Sequence, residues 1–216
     1  MTREDMSKDA YDALIKSILA ILLKKGIKAT TMDSIASSLQ ISKRTLYEIF
    51  SSKTEMVTCA LEDMRDRHSR KITEVFMNSG NVMEALLRSF LLQRDIMQGV
   101  NVSFLRDLDS HFVECGQDPD SSKIPFLENY VSVLQKGADE GFFRKDVNFS
   151  LLCRLQWIQM ESLKRMEEFF PPDISLLEAY DSIFISFMRS IATPKGMEIL
   201  DKALRDIDVV SRKNDK

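Results

Sequence analysis

The sequence is poor in residues that carry out chemistry and in residues that break helices. Its 216 residues include two histidines, three cysteines and one tryptophan, with seven glycines and five prolines. His68 and His111 stand far apart in the chain, and no serine sits in a nucleophile-elbow context, so the pattern announces no catalytic triad. The cysteines Cys59, Cys115 and Cys153 are odd in number and none has CxxC spacing. That excludes a disulfide framework and fits a reducing, cytoplasmic setting. A glycine-rich phosphate loop is missing. Nothing approaches the roughly 18 apolar residues of a membrane span, and none is expected. Asp5, Asp9 and Asp12 precede the first apolar run and Lys16 interrupts it, so no signal peptide is expected either. His111 and Cys115 have the i, i+4 spacing of metal ligands, but they lie at a loop edge without further donors. Acidic pairs such as Asp107 with Asp109 read as solvated faces. The absences together point away from an enzyme, a metal site and a cofactor.

What is abundant is the material of helices around a core. Hydrophobic residues make up 44% of the chain and charged residues 29%, enough apolar surface to fold and too much to stay disordered. Tyr11, Leu14, Ile15, Ile18, Leu19 and Leu22 repeat at helical spacing, and Gly26 follows Lys24 and Lys25 as a C-terminal stop. "ATTMDSIASSLQISKRTLYEIF" predicts two short helices, the first capped by Thr30 or Thr31 and the second by Ser42. Ser52 with Glu55 forms a capping-box pattern opening a long helix to about residue 78. Further helices are expected near 81–98, 100–113, 124–140, 149–170 and 176–192. A loop is expected at "ECGQDPDSSKIP", stops at Pro171-Pro172 and Pro194, and a weak amphipathic helix in the tail. Residues 1–8 read as a loose polar arm. The fold class is all-α. No strand signal or internal repeat is present.

Charge divides the chain. Residues 1–53 hold nine Lys or Arg against six Asp or Glu, and the remainder holds twenty-one against twenty-seven, which recovers the net −3. A basic head on an acidic body is the balance of a nucleic-acid reader attached to a domain of another kind.

The two short helices have the pattern of a helix-turn-helix. Ala36 is small where the helices cross, Ile35 and Leu39 should meet Leu46 and Ile49, and Ile41 should plug the turn. The second helix would then offer Ser42, Lys43, Arg44 and Thr45 to base edges in the major groove. Thr31 and Lys53, each at a helix N-terminus, and the Tyr47 hydroxyl are placed for phosphate oxygens. A helical hairpin serving only as an adaptor is the competing reading, and it explains neither the basic excess nor the Thr31, Tyr47, Lys53 set.

"TTMDSIASSLQISKRTLYEIFSSKTEMV" resembles the N-terminal signature of the tetracycline-repressor (TetR) family of bacterial transcriptional regulators. The matching features are Gly26, Thr30-Thr31, Ile35-Ala36, Ile41-Ser42, Thr45-Leu46-Tyr47, Phe50 and Ser52-Lys53. The rest of the chain resembles the family only in length and helicity. Gln40 departs from the glycine usual in the turn. Either the turn accepts a left-handed non-glycine residue, at about 1 kcal/mol, or it has another geometry.

The resemblance implies a helix-turn-helix domain at 1–53 and a helical effector-binding and dimerisation domain at 54–216. The segment from Leu176 to Ala192 is apolar over a broad face, and 149–170 is apolar on more than one side. These helices, near 149–170 and 175–193, are expected to join two copies as a four-helix bundle. A homodimer would set two heads on a palindromic double-stranded operator. Phe90, Met97, Phe104, Phe112, Phe126, Tyr130, Trp157 and Met160 are candidates for lining an apolar pocket, with Gln93, Gln156 and Gln159 as polar handles. The expected function is a dimeric regulator, a repressor released from DNA by a largely apolar small molecule. A regulator of the same architecture controlled by a protein partner is the alternative.

Overall fold

The computed structural model describes residues 6–118 and 123–214. Its helices, in chain order, are α1 (Lys8–Lys25), α2 (Met32–Ser38), α3 (Lys43–Ile49), α4 (Lys53–Met77), α5 (Val82–Met97), α6 (Val102–Glu114), α7 (Lys123–Asp139), α8 (Phe149–Ser162), α9 (Met166–Phe169), α10 (Leu176–Ile191) and α11 (Pro194–Asn214). Among the described residues no strand forms; Phe143 and Ala192 make one isolated antiparallel bridge.

Caps explain where the helices begin. Orphan amide groups at a helix start need acceptors, and Ser7, Thr31, Ser42, Asn81, Asn101, Asn148 and Ser175 supply side-chain oxygens. Ser52 does the same for α4, accepting from the Glu55 amide at 3.1 Å. The reciprocal arm differs from the expected box. The Glu55 carboxylate accepts from the amide and hydroxyl of Ser51, one residue earlier, at 2.7 and 2.6 Å.

Three boundaries differ from expectation. The predicted helix over 149–170 is broken by a 3-10 turn at Leu163–Arg165. There the Ser162 hydroxyl donates to the Gln159 carbonyl, a local bond that competes with the helical ladder; Leu163 and Met166 are both buried. Pro194, expected only as a stop, also opens α11: α10 ends at Ile191 just before it, and a first-turn position needs no amide hydrogen. Helix α1 begins three residues before Tyr11; residues 1–5 of the expected arm, like 119–122 of the expected loop, lie outside the described residues.

The chain forms two compact units, with a boundary inside α4. The first comprises Met1–Lys71 and Gly99–Pro119, so it extends past the division at 53 and takes in α6. Its core gathers Ile15, Ile18 and Leu22 of α1, Ile35 of α2, Leu46 of α3, Phe50, and Met56 of α4. Full burial of such side chains contributes about 1.5–3 kcal/mol each. Polar bonds fasten α6 within this unit. Asn101 donates its amide to the Leu23 carbonyl at 2.8 Å. Lys28 donates its amide to the buried Asp107 carboxylate at 2.7 Å and its ammonium to the Ser110 hydroxyl at 3.0 Å. Gly26, at φ 84°, passes so close that an added Cβ would stand 3.2 Å from Asp107 Oδ2.

The second unit comprises Ile72–Gln98 and Asp120–Lys216. Within it α7 packs on α8 and α5, α10 on α5 and α8, and α11 on α5. Gly137 lies inside α7 because the Phe143 ring occupies the space of a side chain; a Cβ there would come within 2.3 Å of it. Arg94 holds Asp181 through an ion pair of 2.9 Å, both side chains largely buried. Burial raises the Asp181 carboxyl above the ordinary value, and Arg94 opposes that rise.

Candidate nucleic-acid interface

The turn between α2 and α3 sets the geometry of the head. Leu39 ends α2, and Gln40 takes a left-handed backbone at φ 56°, the one non-glycine residue with positive φ among those described. The Ile41 amide donates to the Ala36 carbonyl at 3.1 Å and the Gln40 amide to the Ser37 carbonyl at 3.2 Å. Those two bonds, around a left-handed residue just past the helix, are the Schellman arrangement. The turn therefore accepts the strain that a glycine would avoid. In return Ile41 packs against the core that buries Ile35, Ala36, Leu46 and Ile49.

Helix α3 is only two turns long, and its apolar side is spent on that core. Its opposite side is the candidate reading face, where Ser42, Lys43, Arg44 and Tyr47 are exposed and Thr45 is half-buried. The Ser42 hydroxyl caps the helix by accepting from the Thr45 amide at 3.0 Å and lies 2.7 Å from the Thr45 hydroxyl. Thr31 is committed likewise. It accepts from the Ser34 amide at 3.1 Å, while the Ser34 hydroxyl accepts from the Thr31 amide, so the capping box closes on itself. Thr30, the other cap candidate, is instead fully buried, its hydroxyl donating to the Ile27 carbonyl. Thr31, Ser42 and Thr45 are thus held in place by the helix ends, leaving Lys43, Arg44 and Tyr47 as the exposed groups not engaged in capping.

Each projecting cation has a carboxylate beside it. Lys43 Nζ lies 2.8 Å from Asp33 of α2, and Arg44 Nε lies 2.9 Å from Glu48 one turn along. Asp33 raises the Lys43 pKa and Glu48 raises that of Arg44, chiefly through these hydrogen bonds. The Lys43 ammonium also sits 5.9 Å from the Tyr47 ring centre. Exposed pairs of this kind contribute little to stability, so a stronger anion can take either cation. The Arg44–Glu48 pair is legible as i, i+4 spacing; the Lys43–Asp33 pair joins two helices and left no local signal. Lys53 is half-buried in the first turn of α4.

The pocket candidates separate. Phe104 is buried in the core of the first unit, with Phe112 packed against it, so neither joins the others in the second unit. There Phe90 stacks on Phe184 and Tyr180, with ring centres 4.1 and 5.6 Å away. Such pairs are worth about 0.5–1.5 kcal/mol beyond area burial. Tyr130 stacks on Phe187 at 6.1 Å, and Phe126 contacts both Tyr130 and Trp157 at 6.0 and 5.4 Å. Phe126 is itself exposed, while Met97 and Met160 are half-buried. Of the glutamines, Gln156 is buried and hydrogen-bonds Tyr130, Gln93 is half-buried and Gln159 is exposed. Burial raises the Tyr130 and Tyr180 hydroxyls well above the ordinary tyrosine range and pushes the Cys153 thiol up to about 11. The Trp157 indole nitrogen and the Ser89 hydroxyl are buried without a hydrogen-bond partner among the described residues. Sequence reading missed Ser89, whose isolation among apolar residues of α5 gives no pattern to find.

The two helices expected to join copies behave differently. On α8, Leu151, Leu155 and Ile158 are exposed at 53%, 49% and 63%, and their spacing puts them on one stripe. Helix α10 instead buries Leu176, Ala179, Tyr180, Phe184, Phe187, Met188 and Ile191 in its own unit and keeps Ile183 and Ile185 half-buried.

Comparison with known proteins fits this geometry. Residues 14–58 match the family described as bacterial regulatory proteins, tetR family. The HTH-type transcriptional repressor KstR2 of Mycolicibacterium smegmatis is 29% identical over 151 residues, covering 66% of this chain and 72% of the relative. KstR2 of Mycobacterium tuberculosis is 25% identical over 149 residues, covering 65% and 72%. Among solved structures, the ketosteroid transcriptional regulator KstR2 of Mycobacterium tuberculosis aligns with a TM-score of 0.59 at 21% identity, covering 87% of this chain and 97% of the other. A transcriptional regulator from Saccharomonospora viridis in complex with choline aligns with a TM-score of 0.65 at 15% identity, covering 87% and 100%.

Proposed function

Since this chain is an all-α DNA-binding regulator of the TetR family, we propose that it acts as a homodimer that represses transcription at a palindromic operator and leaves it when an apolar small molecule binds the second unit. The observation that carries the DNA-reading part is the projecting Lys43, Arg44, Tyr47 face on a helix whose N-terminal residues are fixed by caps. Arg44 reads a base edge, with guanine O6 and N7 the matching acceptors. Tyr47, Thr31 and Lys53 meet phosphates and fix register. The repressor names of the relatives support the sign of regulation.

A single two-turn reading helix contacts too few base pairs to discriminate well. Two heads on successive major grooves, about 34–36 Å apart, supply the rest. The exposed Leu151, Leu155, Ile158 stripe supports α8 as the pairing surface, because a monomer gains nothing from three aliphatic side chains in water on one helix face. The stacked rings of Phe90, Tyr180 and Phe184 and the unpartnered Trp157 and Ser89 groups support an apolar effector bearing acceptor oxygens. The ketosteroid named for one relative is of that chemical kind. Helix α4 carries Lys53 at its start and ends in the second unit. An effector that prefers one position of its last turn can therefore shift the population of DNA-competent heads.

The test is selection of duplexes from a random pool at two salt concentrations. Enrichment of a palindrome whose affinity falls steeply with salt supports the proposal. Failure to enrich any sequence, from a protein shown by light scattering to be folded and dimeric, refutes it.

A further inference from the structure

The first unit holds a small chemical cluster that base and phosphate reading does not use. Cys115 ends α6, and its sulfur lies 3.6 Å from His111 Nε2 on the same helix. Thr58 of α4 completes a triangle, its hydroxyl 3.1 Å from His111 Nε2 and 3.7 Å from the Cys115 sulfur. His111 is buried, whereas Thr58 and Cys115 are half-exposed. A thiol on a half-exposed residue, a base against it and a hydroxyl against both form a working set rather than a lone thiol.

Burial favours a neutral imidazole. Burial lowers the His111 pKa from its ordinary value, the Glu114 carboxylate opposes that shift and the Lys53 ammonium adds to it. The imidazole is therefore unprotonated at neutral pH and can accept a proton. His111 Nε2, 3.6 Å from the sulfur, is the acceptor placed to take the thiol proton at the moment of attack.

We propose that Cys115 is a thiol modification site for hydroperoxides, with His111 as its base and the Thr58 hydroxyl as donor to the leaving oxygen, and that its oxidation weakens DNA binding. The sulfur attacks one peroxide oxygen, an S–O bond forms and the O–O bond breaks. The thiol proton passes to His111 and on to the departing oxygen, giving Cys115 sulfenic acid and an alcohol, or water from hydrogen peroxide. The thiol is oxidised by two electrons and the peroxide is reduced by two. The added oxygen must fit where Thr58, His111 and the sulfur now touch. The Thr58–His111 bond ties α6 to the second turn of α4, and Lys53 lies in the first. The cluster thus bears on the turn proposed to meet a phosphate. This regulatory consequence rests on the DNA-reading proposal; the reactivity of the thiol does not.

The experiment uses the full chain, hydrogen peroxide, and dimedone to trap sulfenic acid, with peptide mass spectrometry at Cys59, Cys115 and Cys153. Cys115 is expected to be trapped about tenfold faster than the other two, because a base stands against its sulfur. His111→Gln should bring its rate down to theirs, and Thr58→Val should slow it while keeping the side-chain volume. On a selected duplex, peroxide should lower wild-type affinity about tenfold and a thiol reductant should restore it. Cys115→Ser should bind DNA and ignore peroxide. Equal trapping at the three cysteines, a Cys115 rate unchanged in both His111→Gln and Thr58→Val, or peroxide sensitivity surviving in Cys115→Ser overturns the proposal. Fast, His111-dependent trapping in a protein that binds no duplex supports the thiol chemistry and refutes the regulator.

Discussion

Replacing Gln40 by glycine should make the protein more stable, although glycine usually does the reverse. Gln40 sits at φ 56°, where the Cβ of an L-residue crowds the following carbonyl at about 1–2 kcal/mol. Glycine has no Cβ and loses that strain. It also gains freedom in the unfolded chain, which takes back about 0.4–1 kcal/mol. The Gln40 side chain is exposed and has no contact worth protecting. The two turn bonds, Ile41 to Ala36 and Gln40 to Ser37, use backbone atoms and survive the change. The net expectation is a gain of about 0.5–1 kcal/mol, or about 1–4 °C in Tm for a chain of this size. Gln40→Ala is the control. It removes the same side-chain atoms and keeps the Cβ, so it should stay within about 0.5 kcal/mol of the wild type. Thermal melts followed by circular dichroism, with calorimetry to test cooperativity, measure both. If Gln40→Gly melts no higher than Gln40→Ala, the left-handed turn is not strained and the reasoning fails.

Three further outcomes are expected. Arg44→Ala should relax the preferred base at one position per half-site, with about 1–3 kcal/mol of discrimination lost, whereas Lys53→Ala should weaken all sequences alike and reduce the salt slope by about one; competition binding on a mismatch series separates the two. Ile158→Glu, placing a charge in the exposed α8 stripe, should yield monomers by analytical ultracentrifugation while the thermal midpoint stays near that of the separated wild-type subunit; an unchanged dimer would remove α8 from the interface. Burial lowers the pKa of both His68 and His111, so as pH falls through their ordinary value near 6.5 the unfolded chain binds protons that the folded chain refuses. Melting temperature should therefore drop from pH 7.5 to 5.5, and His111→Gln should flatten part of that slope; a slope equal to the wild type's would remove His111 from the effect.

Much of the helical plan was legible because helix periodicity, caps and stops are local signals. Tyr11 to Leu22, Thr31, Ser42 and Ser52 each act within a turn or two of their own position. The fate of 149–170 was not legible: its apolar residues continue the helical pattern through Leu163 and Met166, and nothing in that spacing marks the 3-10 turn at Leu163–Arg165. The candidate reading face was legible in part. Lys43, Arg44 and Tyr47 are exposed, while Thr31 and Ser42 are engaged by the caps that their own sequence neighbours complete.

Hydrophobic spacing and side-chain caps, read from the sequence alone, determined an all-α chain with a cationic two-turn helix after a short turn, because both act between residues a few positions apart. Tertiary structure alone decided that Gln40 would carry the left-handed turn, that Phe104 would enter the first unit's core rather than join the rings of the second, and that His111 and Cys115 would meet Thr58. The last of these joins residues 53 and 57 positions apart, and Lys28 bonds Ser110 across 82. Only the free energy of the whole packed arrangement, not any local preference, selects which distant partners share a volume.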